Sequence, residues 1–218
     1  LVFPDPRLER GFDGLIAVGG DLSVERLLLA YRLGIFPWFS EGTDILWWSP
    51  DPRTIIEMDQ VHLARSLKRR LVRGDFEFTR DKCFFDVMRA CGDRPEGTWI
   101  LPSMLAAYEA LHRLGHAHSF EVWQDGALVG GLYGVCIGRA FAAESMFHWV
   151  TDASKAALVV AVRSLRRLGI TLFDVQYLTS HLTSMGASVI PRASYLERLD
   201  EAQRGNVEFA NLVLDYEQ

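Results

Sequence analysis

The chain has 218 residues, 49% of them hydrophobic and 23% charged, with a formal net charge of −5; this fits a globular protein of one large domain, or a main domain with a smaller appendage. The acidic balance excludes nucleic-acid binding by overall charge, so affinity for a polyanion has to come from a local patch. No run approaches the ~18 apolar residues of a membrane helix, and Cys83, Cys91 and Cys136, without CxxC spacing, read as thiols of a reducing compartment rather than a disulfide or zinc framework.

The first ~55 residues differ in texture from the rest. They hold Pro4, Pro6, Pro37, Pro50 and Pro52, and Trp38, Trp47 and Trp48 crowd together. One helix is predicted there, Val24 to Leu33, with Ser23 or Asp21 as N-cap and Gly34 as its stop. Gly19-Gly20-Asp21 has no following Lys-Ser/Thr, so it is a turn rather than a phosphate loop. A small N-terminal α+β domain over 1–58 is expected, then a larger domain over 59–218. In the larger one Leu63, Leu67 and Leu71 mark a helix face. Further helices are predicted over 81–91 and 103–114, the second ended by Gly115. Strand 119–124, an Asp125-Gly126 hairpin, strand 128–137, a Gly138-Arg139 turn and strand 140–147 make a meander. A helix over 153–168, capped by Thr151 or Asp152 and stopped by Gly169, leads to strand 171–176. A short helix near 181–185 and a strand–helix stretch finish the chain. This is the order of a GNAT-type acyltransferase core, a mixed sheet with flanking helices, so the predicted class is α+β; order alone does not fix function.

Glu144 breaks the apolar run of the third meander strand, where an unpaired charge is costly. Asp174 and Gln176 lie two apart on the strand after the helix, so their side chains share a face while Phe173 and Val175 take the other. By themselves they read more readily as a strand end capping the next helix. With Glu144 on a neighbouring strand they become three convergent polar groups, the address of a site in an open sheet. Arg65, Lys68, Arg69, Arg70 and Arg73 form a basic run, with Arg65, Arg69 and Arg73 in one stripe opposite the leucines. A solvated face is the ordinary meaning of such a run, yet on an acidic protein it is where a phosphate backbone could dock. Trp47, Trp48 and Trp123 offer rings for base stacking, although core packing accounts for large aromatics more often. His116 and His118 lack a third ligand at metal-like spacing, so no metal is expected. No Ser or Cys sits in a nucleophile motif, which disfavours a covalent intermediate.

The strings GGDLSVERLLLAYRLGIFPWFS, ILWWSPDPR, ARSLKRR, GTWI, LHRLGHAHSFEVW, LVGGLYGV, ESMFHWVTDASKAAL and DVQ run from Phe3 to about Leu199. Through them the chain resembles the leucyl/phenylalanyl-tRNA–protein transferases, bacterial enzymes that attach Leu or Phe to protein N-termini. The resemblance implies a small N-terminal domain before a GNAT-like one; the thiol pattern, with no apolar run of membrane length, is read as that of a cytoplasmic protein. It implies Leu-tRNA or Phe-tRNA as donor and a protein with N-terminal Arg or Lys as acceptor, the product entering N-degron degradation, with no cofactor and no metal. Asp174, Gln176 and Glu144 would be the reacting centre. Leu132, Phe141, Met146 and Phe173 would form the pocket for the transferred side chain, Met and Phe suiting one that takes both aliphatic and aromatic groups. Arg65, Lys68, Arg69, Arg70 and Arg73 would meet the tRNA acceptor stem, with Trp47, Trp48 and Trp123 as further tRNA contacts. Two departures stand out: Ala143 replaces the usual glycine before Glu144, and His148-Trp149 replaces the commoner Ser-Arg.

Other readings remain open at the level of residues. A CoA-dependent N-acyltransferase on the same core would hold pyrophosphate on a glycine-bearing loop at a helix N-terminus; here the connection 147–152 has no glycine and carries Asp152. A non-catalytic adaptor binding N-degrons or tRNA leaves the Asp174–Gln176 arrangement without a purpose. A tRNA-dependent peptidoglycan aminoacyltransferase would usually need a doubled core and a longer chain.

Overall fold

The computed structural model describes residues 1–8, 12–95 and 97–216. After a 3-10 turn at Phe12–Gly14 come β1 (Leu15–Val18), α1 (Val24–Arg32), β2 (Phe36–Pro37), β3 (Leu46–Trp48) and β4 (Arg53–Ile56). Then follow α2 (Arg65–Arg73), β5 (Glu77–Arg80), α3 (Phe84–Gly92) and α4 (Pro102–Arg113). The meander is β6 (Ala117–Gln124), β7 (Ala127–Ile137) and β8 (Ala140–His148). It runs into α5 (Ala153–Leu168), β9 (Leu172–Gln176), α6 (Ser180–Ser184), β10 (Ala187–Ile190) and α7 (Arg192–Gln203), before a last 3-10 turn at Phe209–Asn211. No helix among the described residues is long and apolar enough to cross a membrane.

Strands β1, β3 and β2 form a small antiparallel sheet, and the other seven form one mixed sheet in the order β10-β4-β9-β8-β7-β6-β5. Among the described residues only β8 and β9 pair in parallel, because α5 carries the chain back across the sheet between them. The predicted order of meander, helix and strand is observed. Two short strands, β4 and β5, lack the length for a readable alternation. β4 falls inside the expected 1–58 unit yet lies between β10 and β9, so the chain enters the main sheet before residue 58.

Both faces of the large sheet are covered. On one, α5 packs over Phe120, Leu132, Phe141 and Phe173; on the other, α1, α3 and α4 cover Tyr133 and Val135, and α7 covers Leu172. The small sheet shares that second core: Leu27, Ile35, Phe36 and Trp47 pack in one cluster with Tyr108 and Tyr133. All three cysteines are free thiols, and burial holds Cys91 and Cys136 up at about 12.

The regular pairing of the meander breaks at one point in β8. Tyr133 pairs with Ser145 but Gly134 pairs with Ala143, so Glu144 is an extra residue, a β-bulge. Strand alternation would send Glu144 and Ser145 to opposite faces. The bulge leaves Glu144 beside Tyr108 and Ser145 beside Arg94 of the α3–α4 connection, on the same face. Gly134 is required there, since a Cβ on it would stand 2.3 Å from the Ala142 carbonyl oxygen.

Candidate active site

The C-terminal ends of β8 and β9 open into a cleft of about 1040 Å³ between the small sheet and the large one. Its polar floor is made by Glu144, Ser145 and Gln176, and its walls include Trp38, Trp48, Trp99 and Tyr177.

Asp174 sits under this floor, fully enclosed. Arg53 Nε and Nη2 donate to its two carboxylate oxygens at 2.9 and 2.6 Å, and Tyr195 Oη donates at 2.9 Å. The fourth donor is the backbone N–H of Gln176, at 2.9 Å. Arg53 is itself only 1% exposed, lies over the rings of Phe36 and Tyr195, and donates to the Gly34 carbonyl at 3.0 Å. Burial opposes its charge, but the Asp174 carboxylate more than reverses this and raises its pKa. The pair is therefore a buried ion pair with its remaining hydrogen-bonding capacity met, the condition under which such a pair is tolerated.

Gln176 ends β9 in the left-handed region, with φ 64°. That conformation is uncommon for a residue with a Cβ, and the Asp174 carboxylate holds it by capping the Gln176 N–H. The side chain turns toward β8, where Nε2 donates to Glu144 Oε1 at 2.8 Å. The amide Oε1 is left without a hydrogen-bond partner among the described residues.

Glu144 is 8% exposed. Tyr108 Oη donates to its Oε2 at 3.5 Å, and the Tyr108 hydroxyl shares a short hydrogen bond with Tyr31. Burial pushes the carboxyl up to about 8, with the Asp174 charge adding to that; hydrogen bonds from Tyr31 and Gln176 and the charge of Arg53 act the other way. At neutral pH it is mostly protonated, poised to change state when a charge arrives.

The remaining expected site residues scatter. Met146 lines the cleft, whereas Leu132, Phe141 and Phe173 are packed in the core beneath α5. Trp48 lines the cleft and donates to the Trp38 carbonyl. Trp47 is buried, donating to the Gly19 carbonyl and edge-on to Phe3. Trp123 ends β6 away from the cleft, bonded to Thr79 with Lys82 over its ring. On α2, Leu67 is buried while Arg65, Lys68, Arg69 and Arg73 are exposed around a shallow surface depression. Arg73 pairs with Asp75. Arg70 is turned inward, over Phe76 and bonded to the Thr151 carbonyl. The Asp152 carboxylate before α5 meets Lys155 at 3.2 Å and Arg70 at 3.9 Å, so its charge is already countered.

Among the described residues, Asp81, His112 and His118 bring donor atoms within 4.8 Å of one another. Both His118 nitrogens are engaged, with Asp81 and the Gly115 carbonyl, and His112 Nδ1 meets the Ala117 carbonyl. That arrangement suits packing better than ligation.

Sequence reasoning missed Arg53, Tyr195, Tyr31 and Tyr108, which hold the polar centre, and Trp99, which walls it. The one available signal was Arg53 itself, a cation heading the short strand Arg53–Ile56, which ends in two isoleucines.

A family profile described as leucyl/phenylalanyl-tRNA protein transferase matches residues 55–200, and one for the N-terminal domain of the same family matches residues 20–51. Curated proteins named leucyl/phenylalanyl-tRNA–protein transferase are similar over most of the chain. That of Anaeromyxobacter sp. is 54% identical over 204 residues, 92% of this chain and 86% of its own. That of Methylococcus capsulatus is 52% identical over 208 residues, 94% of this chain and 88% of its own. Among solved structures, the L-PGS of Bacillus licheniformis aligns at 13% identity and a TM-score of 0.42, over 81% of this chain and 62% of its own.

Proposed function

The chain belongs to the leucyl/phenylalanyl-tRNA–protein transferase family, and from that premise we propose that it moves a leucyl or phenylalanyl group from aminoacyl-tRNA to the α-amine of a protein with N-terminal Arg or Lys. The observation that carries this reading is the Gln176–Glu144 hydrogen bond at the floor of an aromatic-walled cleft. The reaction is aminolysis of an ester. The amine nitrogen attacks the ester carbonyl carbon, and the adduct collapses by breaking the bond to the tRNA ribose oxygen, which leaves with the proton that the attacking nitrogen gives up.

An acceptor α-ammonium has a pKa of roughly 7.7–8.0. Glu144, at about 8, is matched to it, so the ionised fraction of Glu144 can take the ammonium proton near balance. Gln176 presents its free amide oxygen to the amine, aligning the lone pair on the ester carbon; alignment of this kind supplies much of the acceleration where no strong base is needed. Asp174 has both oxygens filled by protein donors, and its part is to hold Gln176.

The donor's terminal adenosine is flat, and Trp38, Trp48 and Trp99 offer aromatic walls for it in the cleft. Met146 would bound the transferred side chain, with Leu132, Phe141 and Phe173 as the layer behind it. Arg65, Lys68 and Arg69 would meet the tRNA backbone: charge reversal at Lys68 and Arg69 should lower the salt slope of tRNA binding by about two counter-ions. An unchanged slope would make α2 a plain solvated face. Because the donor is charged tRNA, the reaction belongs in the cytoplasm. The direct test is to incubate the protein with Leu-tRNA or Phe-tRNA and an Arg-initiated peptide. The expected product is the peptide extended by one residue at its N-terminus, read by mass spectrometry; no extension with either donor refutes the reading.

A further inference from the structure

His181 lines the same cleft as Gln176 and Glu144 but takes no part in the aminolysis. It stands on α6, and its Nε2 is buried with no hydrogen-bond partner among the described residues. A buried polar atom left this way is costly unless a ligand completes it. Its surroundings are cationic. Lys155 from α5 and His148 from the end of β8 act on it, and burial foremost, with those two charges, holds its imidazole below the usual 6.5. The other residues of α6 do not ionise, nor do those of β10, which packs on it. His148 Nδ1 lies 3.3 Å from Ser154 Oγ, and Asp152 pairs with Lys155 and Arg70.

The same residues join the cleft to the basic helix. Arg70 of α2 donates to the Thr151 carbonyl at the start of α5, where Lys155 stands. Arg70 and Lys155 share Asp152, and Lys155 and His148 act in turn on His181, so basic groups succeed one another from α2 to the cleft. An unpaired ring nitrogen among cations selects an anion, and an aminoacyl-tRNA donor brings a phosphodiester at every linkage of its single-stranded 3′ end.

We propose that His181, backed by His148 and Lys155, is a phosphate-binding station for that 3′ end, between the basic helix and the reacting pair. The station rests on the reading of the donor as aminoacyl-tRNA. Phosphodiesters stay ionised throughout the neutral range, so the proton that changes hands belongs to His181. Binding draws a proton onto the ring and forms a charge-assisted hydrogen bond from Nε2. Donor affinity therefore rises as pH falls.

The test is the Kd of uncharged leucine tRNA at constant ionic strength, from about pH 5.5 to about pH 7, below the range in which Glu144 titrates at about 8. The intact protein should bind several-fold more tightly at the acid end. His181→Gln should bind roughly tenfold more weakly there and show a clearly shallower profile. Lys155→Gln removes a charge that disfavours protonation of His181, so its profile should keep the rise but shift to higher pH; it also decides the matter if His181→Gln does not fold. A His181→Gln profile as steep as that of the intact protein, or a Lys155→Gln profile that does not move, overturns the station. Failure of the intact protein to bind tRNA at any pH overturns the aminoacyl-tRNA reading and the station with it.

Discussion

Asp174 accepts hydrogen bonds from Arg53, Tyr195 and the Gln176 backbone, so removing it strands a guanidinium in the core. Breaking one partner of such a pair costs ~3–5 kcal/mol, and for a chain of this size Asp174→Ala should lower Tm by roughly 10 °C. Lost turnover in that variant would then mix unfolding with chemistry. The double variant Arg53→Met, Asp174→Leu separates them: it should regain much of the Tm in a melting experiment and still fail to transfer. Gln176→Asn keeps a residue that tolerates positive φ but is too short to reach Glu144. It should melt within ~0.5 kcal/mol of the parent and lose roughly a hundredfold in turnover; near-normal transfer would remove Gln176 from the centre. Glu144 makes a prediction in pH. Its folded pKa, about 8, lies above the ordinary carboxyl value of 4.5, so between those values the folded state holds a proton that the unfolded state has lost. The stability it confers is complete below pH ~4.5 and is lost as pH rises through about 8. Glu144→Gln should flatten that decline in thermal melts, and a slope unchanged by the substitution would contradict the protonated state of the carboxyl.

The element that makes the site is the bulge in β8. It delivers Glu144 and Ser145 to one face, and it depends on Gly134 opposite, whose added Cβ would meet the Ala142 carbonyl oxygen and the Phe141 ring. Backbone cannot yield as a flexible side chain can, so Gly134→Ala should destabilise by ~2 kcal/mol or more. It should also displace Glu144, lowering transfer beyond what the fraction folded explains. Helix α2 divides its cations in a way its spacing hides. Arg70 packs on Phe76 and ties α2 to the start of α5, while Lys68 and Arg69 face solvent. Substituting Arg70 should therefore cost stability as well as donor binding; the other two should affect binding alone.

At the scale of the whole molecule, the small sheet is not an independent body. Its Phe36 and Trp47, with Leu27 and Ile35 from the neighbouring segments, share a core with Tyr108 and Tyr133, and Arg53 ties Gly34 to Asp174. Heating should give one cooperative transition by calorimetry and by tryptophan fluorescence. Two separated transitions would show that residues before β4 fold apart from the rest.

Local signals determined the order of elements, because turn glycines, caps and apolar periods report on neighbours in sequence. Helix 153–168 and the meander strands lie where those signals place them, and the strings that carry the family resemblance are equally local. Glu144, Asp174 and Gln176 stood out because a polar group in an apolar strand is expensive wherever the strand goes. What surrounds them was decided only in three dimensions. Arg53 meets Asp174 from 121 residues away, through a strand order that no periodicity encodes. Period-two reasoning put Asp174 and Gln176 on one face but could not foresee a left-handed Gln176, nor a bulge that sets Glu144 beside it. Nor can hydrophobicity separate Met146, on the cleft, from Leu132, Phe141 and Phe173, in the core, since both environments ask for the same side chains. The chain itself determined which residues were unusual; the packing of β4, β8 and β9 against one another decided what they touch, because those contacts join segments whose only link is the closed fold.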